Sequence, residues 1–356
     1  MQDNDINELL QQQVTTASQH QQAVNIIGGN SKPFYGNIPH TDNQLESINT
    51  AEHTGIVDYE PSELYITARS GTLLKNLEQR LAEEQQMLPF EPASFADTAT
   101  IGGTIACGIS GPRRPFSGAC RDSILGIDII NGLGESLSFG GHVMKNVAGY
   151  DVSRGMCGSL GTLGLITQVS LKVIPKPDVE STVVIATNFT GACQILAELR
   201  KITLPISANY FADEHLYLRV NLSIDELKTF NQQHHAKIHH EPQFWENVRE
   251  HRNNFFLQDT PLWRCSLPIG SPALELRGDM VAEWNAGLHW YKTQESAERV
   301  RQLCQLAGGH AQLFSQKHGH ESFSQPAANM FELHKRIKAA FDPHAIFNPN
   351  RLFIGL

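Results

Sequence analysis

The segment from Thr100 to Arg121, T-I-G-G-T-I-A-C-G-I-S-G-P-R-R-P-F-S-G-A-C-R, limits what this chain can fold into more than any other. Gly102, Gly103 and Gly108 remove the Cβ atoms that would hold a ligand away from backbone amides, and Ala106 and Ser110 keep the wall low. Every glycine also costs backbone entropy on folding, so so dense a run calls for a reason beyond structure. Arg113, Arg114 and Arg121 carry donor forks suited to a phosphate or a carboxylate. They could equally be solvated surface charge or partners of Asp122 and Asp128. Three more small-residue clusters accompany the segment: I-I-G-G-N-S-K at 26–32, K-N-V-A-G-Y-D at 145–151 and G-S-L-G-T-L-G-L-I-T at 158–167. Together they suggest a backbone cradle around a large phosphorylated ligand.

With 356 residues the chain has room for two or three domains. Its net charge of −9 disfavours a general nucleic-acid role. No apolar run is long enough to span a bilayer, and the polar start M-Q-D-N-D-I-N-E-L-L lacks the pattern of a signal peptide. The expectation is a cytoplasmic protein whose contact with a membrane, if it has any, runs through partner subunits. Cys107, Cys120, Cys157, Cys193, Cys265 and Cys304 form no C-x-x-C pair, which argues against iron–sulfur or structural zinc ligation within the chain. They read as reduced, half-buried residues.

Periodicity gives a first helix with Ile6, Leu9, Leu10 and Val14 on one stripe behind a capping Asp5, then a strand V-N-I-I ending at Gly28-Gly29. Strands follow at 56–59 and 64–67, and an amphipathic helix over 72–87 buries Leu73, Leu77 and Leu81. Beyond the glycine segment, strands at 123–130 and 163–174 flank the hairpin signal N-G-L-G-E. Pro175-Lys176-Pro177 reads as a linker. The region after it alternates strands and helices, including a strand signal across Val281 to Trp290, in an α+β pattern of an antiparallel sheet with helices on one face. A last helix over 327–341 precedes the tail D-P-H-A-I-F-N-P-N-R-L-F.

By itself, I-I-G-G-N-S-K is either an ordinary tight turn or an anion nest in which consecutive N–H groups converge. It lacks the G-K-[ST] ending of a Walker A loop, and no segment is a good G-x-G-x-x-G fingerprint, so a conventional nicotinamide site is disfavoured. His234, His235, His239 and His240, with His318 and His320, read as solvated polar surface, and no metal site is assigned. In the second half, Arg264 is a candidate carboxylate anchor and His289 a candidate base for a hydroxyl proton. The bland alternatives are an ion pair for Arg264 and core packing for His289.

The four clusters and the tail F-D-P-H-A-I-F-N-P-N-R-L at 341–352 resemble the vanillyl-alcohol oxidase family, whose FAD-binding fold is of the p-cresol methylhydroxylase type. The stretches 91–118 and 139–151 are similar, within that family, to the FAD-binding subunits of bacterial glycolate oxidases. The resemblance implies an α+β fold with an FAD-binding domain at 1–177 (subdomains about 1–88 and 89–177), an antiparallel-sheet cap at 178–325, and a C-terminal segment, 326–356, returning to the FAD domain. It implies that Gly28, Gly29, Asn30, Ser31 and Lys32 hold the pyrophosphate. Pro92, Thr100, Gly102, Gly103, Thr104, Ala106, Cys107 and Gly108 would line the pyrophosphate and flavin. Gly164 and Ile166 would meet the adenine end or ribityl chain, and Lys145, Asn146 and Tyr150 would lie near the cofactor.

Covalent relatives carry histidine at the third position of the glycine turn. Asn30 stands there, and an amide cannot form that bond, so dissociable FAD is expected. Leu160 replaces an acidic residue of the family pattern, and Asn350 replaces a glycine whose left-handed conformation asparagine tolerates. The H-G-D-G-N run of metal-dependent 2-hydroxy-acid oxidising relatives is absent, so their catalytic histidine maps to no position here. The implied role is the FAD subunit of a multi-subunit glycolate oxidase. It would act on a small 2-hydroxy acid, with a homologous FAD-containing catalytic subunit and an iron–sulfur subunit as partners. A self-sufficient 2-hydroxy-acid dehydrogenase and a non-catalytic FAD-binding structural subunit remain as alternatives.

Overall fold

A computed structural model describes residues 3–37, 45–141, 151–257, 259–314 and 321–356. The chain forms two compact units. The first comprises residues 1–109, 119–176 and 316–356, the second residues 110–118 and 177–315. The arginine-bearing end of the glycine segment, 110–118, is therefore part of the second unit, although the sequence pattern runs on without a break. The short helix Arg114–Ser117 packs on a strand of that unit, which explains the assignment.

In the first unit a five-stranded antiparallel sheet has the order β3-β4-β8-β6-β7. Its strands are β3 (Ile56–Glu60), β4 (Tyr65–Arg69), β6 (Ile124–Ile130), β7 (Ser136–Gly140) and β8 (Leu165–Lys172). β6 and β7 are joined at the expected hairpin, where the Asn131 carboxamide oxygen accepts from the amides of Leu133 and Glu135. The helix Leu74–Glu83 buries Leu74, Leu77 and Leu81 completely, and the helix Ile101–Cys107 adds Ile101 and Ile105 to the same core. Each such side chain contributes roughly 1.5–3 kcal/mol of hydrophobic stabilisation.

A second layer of the unit pairs β1 (Val24–Ile27) and β2 (Glu46–Asn49) in parallel. Leu10 and Val14 of the helix Asn7–Gln19 pack there with Val24, Ile48, Ile346 and Phe347. Asp5 accepts from the Asn7 amide, although Ile6 and not the expected Asp5 occupies the cap position, and Leu9 faces solvent. The C-terminal tail is locked by Asp342, which is buried and accepts from Lys338 and from the amides of Ile346 and Phe347.

The glycine segment is partly helical. Residues Ile101–Cys107 form a helix, because the Thr100 hydroxyl accepts from the Gly103 amide as an N-cap and left-handed Gly108 closes the other end.

The second unit is built on an eight-stranded antiparallel sheet that adds β10 (Ser181–Ala186), β11 (Ile206–Ala212), β12 (His215–Val220) and β13 (Lys237–His239) to four later strands, in the order β13-β10-β12-β11-β15-β16-β14-β17. The strands used below are β14 (Leu262–Ser266), β15 (Asp279–Glu283), β16 (Leu288–Lys292) and β17 (His310–Leu313). The strand signal across Val281 to Trp290 resolves into β15 and β16. The break is a run of three left-handed residues, Trp284, Asn285 and Ala286, with φ of 58°, 57° and 56°. Consecutive left-handed L-residues cost roughly 1–2 kcal/mol each. Here the run is held by paired side chains: Asn209 donates to the Asn285 carboxamide and accepts from the Asn285 amide, and the Trp284 indole donates to the Gly111 carbonyl.

Candidate functional site

β1 delivers the chain into Gly28-Gly29-Asn30-Ser31-Lys32. A Cβ on Gly29 would lie 1.5 Å from the Thr98 carbonyl oxygen, so only glycine fits this close approach. Asn30 follows in a left-handed conformation, φ 48°. The turn therefore needs glycine for space at one position and asparagine's tolerance of positive φ at the next.

A cleft of about 160 Å³ opens over this turn. It brings together Gly28, Gly29, Asn30, Ser31 and Lys32 with Thr100, Gly103, Ala106 and Cys107, residues that lie far apart in sequence. A smaller cavity of about 60 Å³ shares Gly28, Gly103, Ala106 and Leu160 with it and adds Gly102, Gly164 and Ile166. Lys32 is 8% exposed, and its ammonium donates to the Ser31 hydroxyl and the Ser94 carbonyl. Burial pushes the Cys107 thiol up, against the opposing pull of the Lys32 and Arg351 charges, so it stays a neutral wall residue.

Two residues of the cleft were not singled out by sequence reasoning. Arg351 holds the carbonyls of Asn37 and Pro33 with its guanidinium, at 3.0 and 2.8 Å. Asn348 ties two walls together: its carboxamide oxygen accepts from the Ile26 amide at 2.7 Å and its nitrogen donates to the Leu160 carbonyl at 2.6 Å. Both lie in the N-P-N-R-L tail, whose family pattern was visible while its contacts were not. Leu160 and Asn350 are left-handed, φ 54° and 61°, and Asn350 accepts from the Gly355 amide, so the asparagine preserves the turn as expected.

Other expected cofactor residues sit elsewhere. Pro92 is buried away from both cavities. The Thr104 hydroxyl is spent on the Thr100 carbonyl inside the helix, and Gly108 serves as the helix stop. Arg113, 4% exposed, makes a two-pronged bond to Glu180 at 2.9 and 2.7 Å, so its charge is neutralised within the second unit. Arg114 stacks over Trp284, 4.3 Å from the ring centroid. Arg121 is exposed beside Asp122, 3.8 Å away. Lys145, Asn146 and Tyr150 lie outside the described residues, as do His318 and His320.

The two catalytic candidates separate as well. His289 is fully buried, its Nε2 lies 3.1 Å from the Ala286 carbonyl, and burial lowers its pKa to about 4. It braces the left-handed turn and does not meet solvent, so the expected base role has no access to a substrate. Arg264 is half-buried and meets no carboxylate among the described residues. Among the described residues no three His, Cys, Asp or Glu side chains converge as a metal site, and no helix is long and apolar enough to cross a membrane. The six cysteines form no disulfide.

The cleft suits the phosphate-bearing part of a dinucleotide. Its floor is bare backbone, Asn30 and Ser31 add donors, and Lys32 and Arg351 make it cationic. A glycine turn after a parallel strand, closed by the 101–107 helix and the C-terminal tail and followed by an antiparallel α+β unit, defines an FAD-binding protein. Comparison with known proteins agrees: residues 7–140 match the FAD binding domain family. Across 97% of its length the chain superposes on 76% of a solved alkyldihydroxyacetonephosphate synthase, with a TM-score of 0.68 at 16% identity, a likeness of fold. The chain is 39% identical over 352 residues to glycolate oxidase subunit GlcE of Escherichia coli (strain K12), covering 99% of each. It thus belongs to the GlcE family of FAD-binding proteins. Glycolate oxidase subunit GlcD of Bacillus subtilis (strain 168) is 30% identical over 145 residues, 40% of this chain and 31% of that one.

Proposed function

We propose that this chain is the FAD-binding subunit of a multi-subunit glycolate oxidase, which converts glycolate to glyoxylate and hands the electrons to an external acceptor through its partners. The observation that supports this most is the end-to-end match to GlcE combined with a cleft built from the same glycine clusters. Bound FAD would supply two-electron acceptance from a hydroxy acid and onward transfer of those electrons.

The chain's own residues hold and orient it. Amides around Gly28 and Gly29, with Asn30 and Ser31, donate to the anionic linkage, and the Lys32 and Arg351 charges offset it. Ala106 and Cys107 offer a low apolar wall, and Asn348 fixes the spacing between the turn and the Leu160 loop. With an amide at Asn30, attachment is non-covalent. A homologous flavin subunit, to which GlcD is the model, and an iron–sulfur subunit complete the assembly in this reading. The chain is cytoplasmic and reaches any membrane through those partners.

Absorbance of the purified protein before and after acid precipitation tests the reading. Flavin bands that move entirely into the supernatant are expected. A protein that neither purifies with flavin nor binds added FAD refutes it, and flavin left in the pellet refutes the dissociable attachment.

A further inference from the structure

Among the described residues, the second unit holds a cation with no counter-charge. Arg264 lies mid-strand in β14, and its one polar contact among the described residues is a hydrogen bond from Nη1 to the Ser266 hydroxyl at 3.1 Å. No carboxylate lies within ion-pair distance of it among the described residues. Its guanidinium stands 5.1 Å from the Trp284 ring centroid and 5.9 Å from that of Trp290. Both tryptophans are nearly buried, at 5% and 3% exposure. Glu283 is separated from β14 by β16, and it accepts from the Trp290 indole. The Arg264 charge also contributes to holding His251 and His310 neutral, alongside their burial, and His251 falls to about 3.

A second observation points the same way. Gln312 of β17 is the direct cross-strand partner of Arg264, so the two side chains leave the same face of the sheet. Gln312 is 3% exposed, and its carboxamide nitrogen has no hydrogen-bond partner among the described residues. A buried donor left unpaired costs about 1–3 kcal/mol, and a half-buried guanidinium whose acceptor is a neutral hydroxyl and not a carboxylate adds to that cost. Both costs vanish if an anion with two acceptor positions binds between them.

We propose that Arg264 and Gln312 form a binding site for a small 2-oxygenated carboxylate, the guanidinium fork taking the carboxylate and the Gln312 amide donating to the neighbouring hydroxyl or keto oxygen. The indoles of Trp284 and Trp290 limit its size and lower the local dielectric, which strengthens a charge-assisted bond. The residues belong to the second unit alone, and the choice of a 2-oxygenated acid as ligand rests on the proposed function. Flavin absorbance tests the cofactor reading and carboxylate binding tests this one, so one can fail without the other.

Full-length protein is titrated at constant ionic strength with glycolate, glyoxylate, acetate and inorganic phosphate, followed by calorimetry and by the fluorescence of its four tryptophans. Saturable binding of glycolate or glyoxylate is expected, and which of them binds tighter tells a substrate site from a product site. Acetate, without the second oxygen, should bind about tenfold more weakly, and phosphate more weakly still. Arg264→Gln should lose about ten- to a hundredfold in affinity. Arg264→Lys, which keeps the charge and the fold but not the fork, should lose most of that. Gln312→Leu should abolish the preference over acetate while leaving acetate binding intact. Absence of saturable binding, equal binding of phosphate, or wild-type affinity in Arg264→Lys would each overturn the proposal.

Discussion

Asn348→Ala is the most direct probe of how the cleft is held open. The wild-type carboxamide makes hydrogen bonds of 2.7 Å with the Ile26 amide and 2.6 Å with the Leu160 carbonyl, and the residue is 6% exposed. Alanine removes both and leaves the two backbone groups without their side-chain partner, at about 1 kcal/mol or more apiece. It must also sit at φ 41°, where asparagine is better tolerated, for about 1 kcal/mol more. The sum is about 3 kcal/mol, which for a unit of this size lowers the melting temperature by about 6–12 °C. Because the bonds join β1 to the Leu160 loop, FAD affinity should fall about tenfold as well. Calorimetric melting with a flavin-fluorescence titration on the same preparation reads both quantities. Asn348→Asp is the internal control: it keeps the acceptor for Ile26 but sets a carboxylate oxygen against the Leu160 carbonyl, and should be nearly as damaging. A loss below about 1 kcal/mol with unchanged flavin affinity would show that the tail does not position the site.

Three further outcomes follow from the same geometry. Gly29→Ala drives a Cβ onto the Thr98 carbonyl, so the protein should purify without flavin, and wild-type flavin content in a folded variant would refute the close-approach argument. Arg113→Met leaves Glu180 without its two-pronged partner and should cost the second unit about 2–3 kcal/mol with flavin content unchanged, whereas flavin loss at unchanged stability would restore Arg113 to the cofactor. His289 has its pKa lowered to about 4 by burial, so the unfolded chain takes up the proton first. Its contribution is complete above about pH 6.5 and is lost as pH falls toward 4, by about 3 kcal/mol in all, and His289→Gln should flatten that part of the stability profile measured by urea melts.

Much of the first unit was legible because its signals are local. Leu77 and Leu81 specify a helix face, which Leu74 completes in place of the expected Leu73, the half-buried cap, and N-G-L-G-E specifies a hairpin. The glycine turn announces itself through positions where a Cβ has no room or φ is positive. The resemblance added what spacing does not carry, namely that Gly28, Thr100 and Ala106 belong to one cleft.

What stayed hidden depends on partners distant in sequence. An arginine in a glycine-rich run reads as a ligand contact until its acceptor is known, and for Arg113 that acceptor is Glu180, which follows the Pro175-Lys176-Pro177 boundary in sequence and belongs to the same unit as Arg113. The stretch from Val281 to Trp290 reads as one strand because its aromatic and aliphatic residues outweigh the turn signal of Asn285 and Gly287. That turn exists through Asn209, in another strand, and through the carbonyl of Gly111. The same logic distinguishes the two catalytic candidates. His289 and Arg264 are equally plausible as chemistry-bearing residues in the sequence, but strand alternation sends them to opposite faces of the sheet, since Cys265 pairs with His289 and Arg264 pairs with Trp290. On one face a fully buried histidine supports a strained turn. On the other a half-buried arginine lies beside two indoles, and that difference in access makes Arg264 the residue to test.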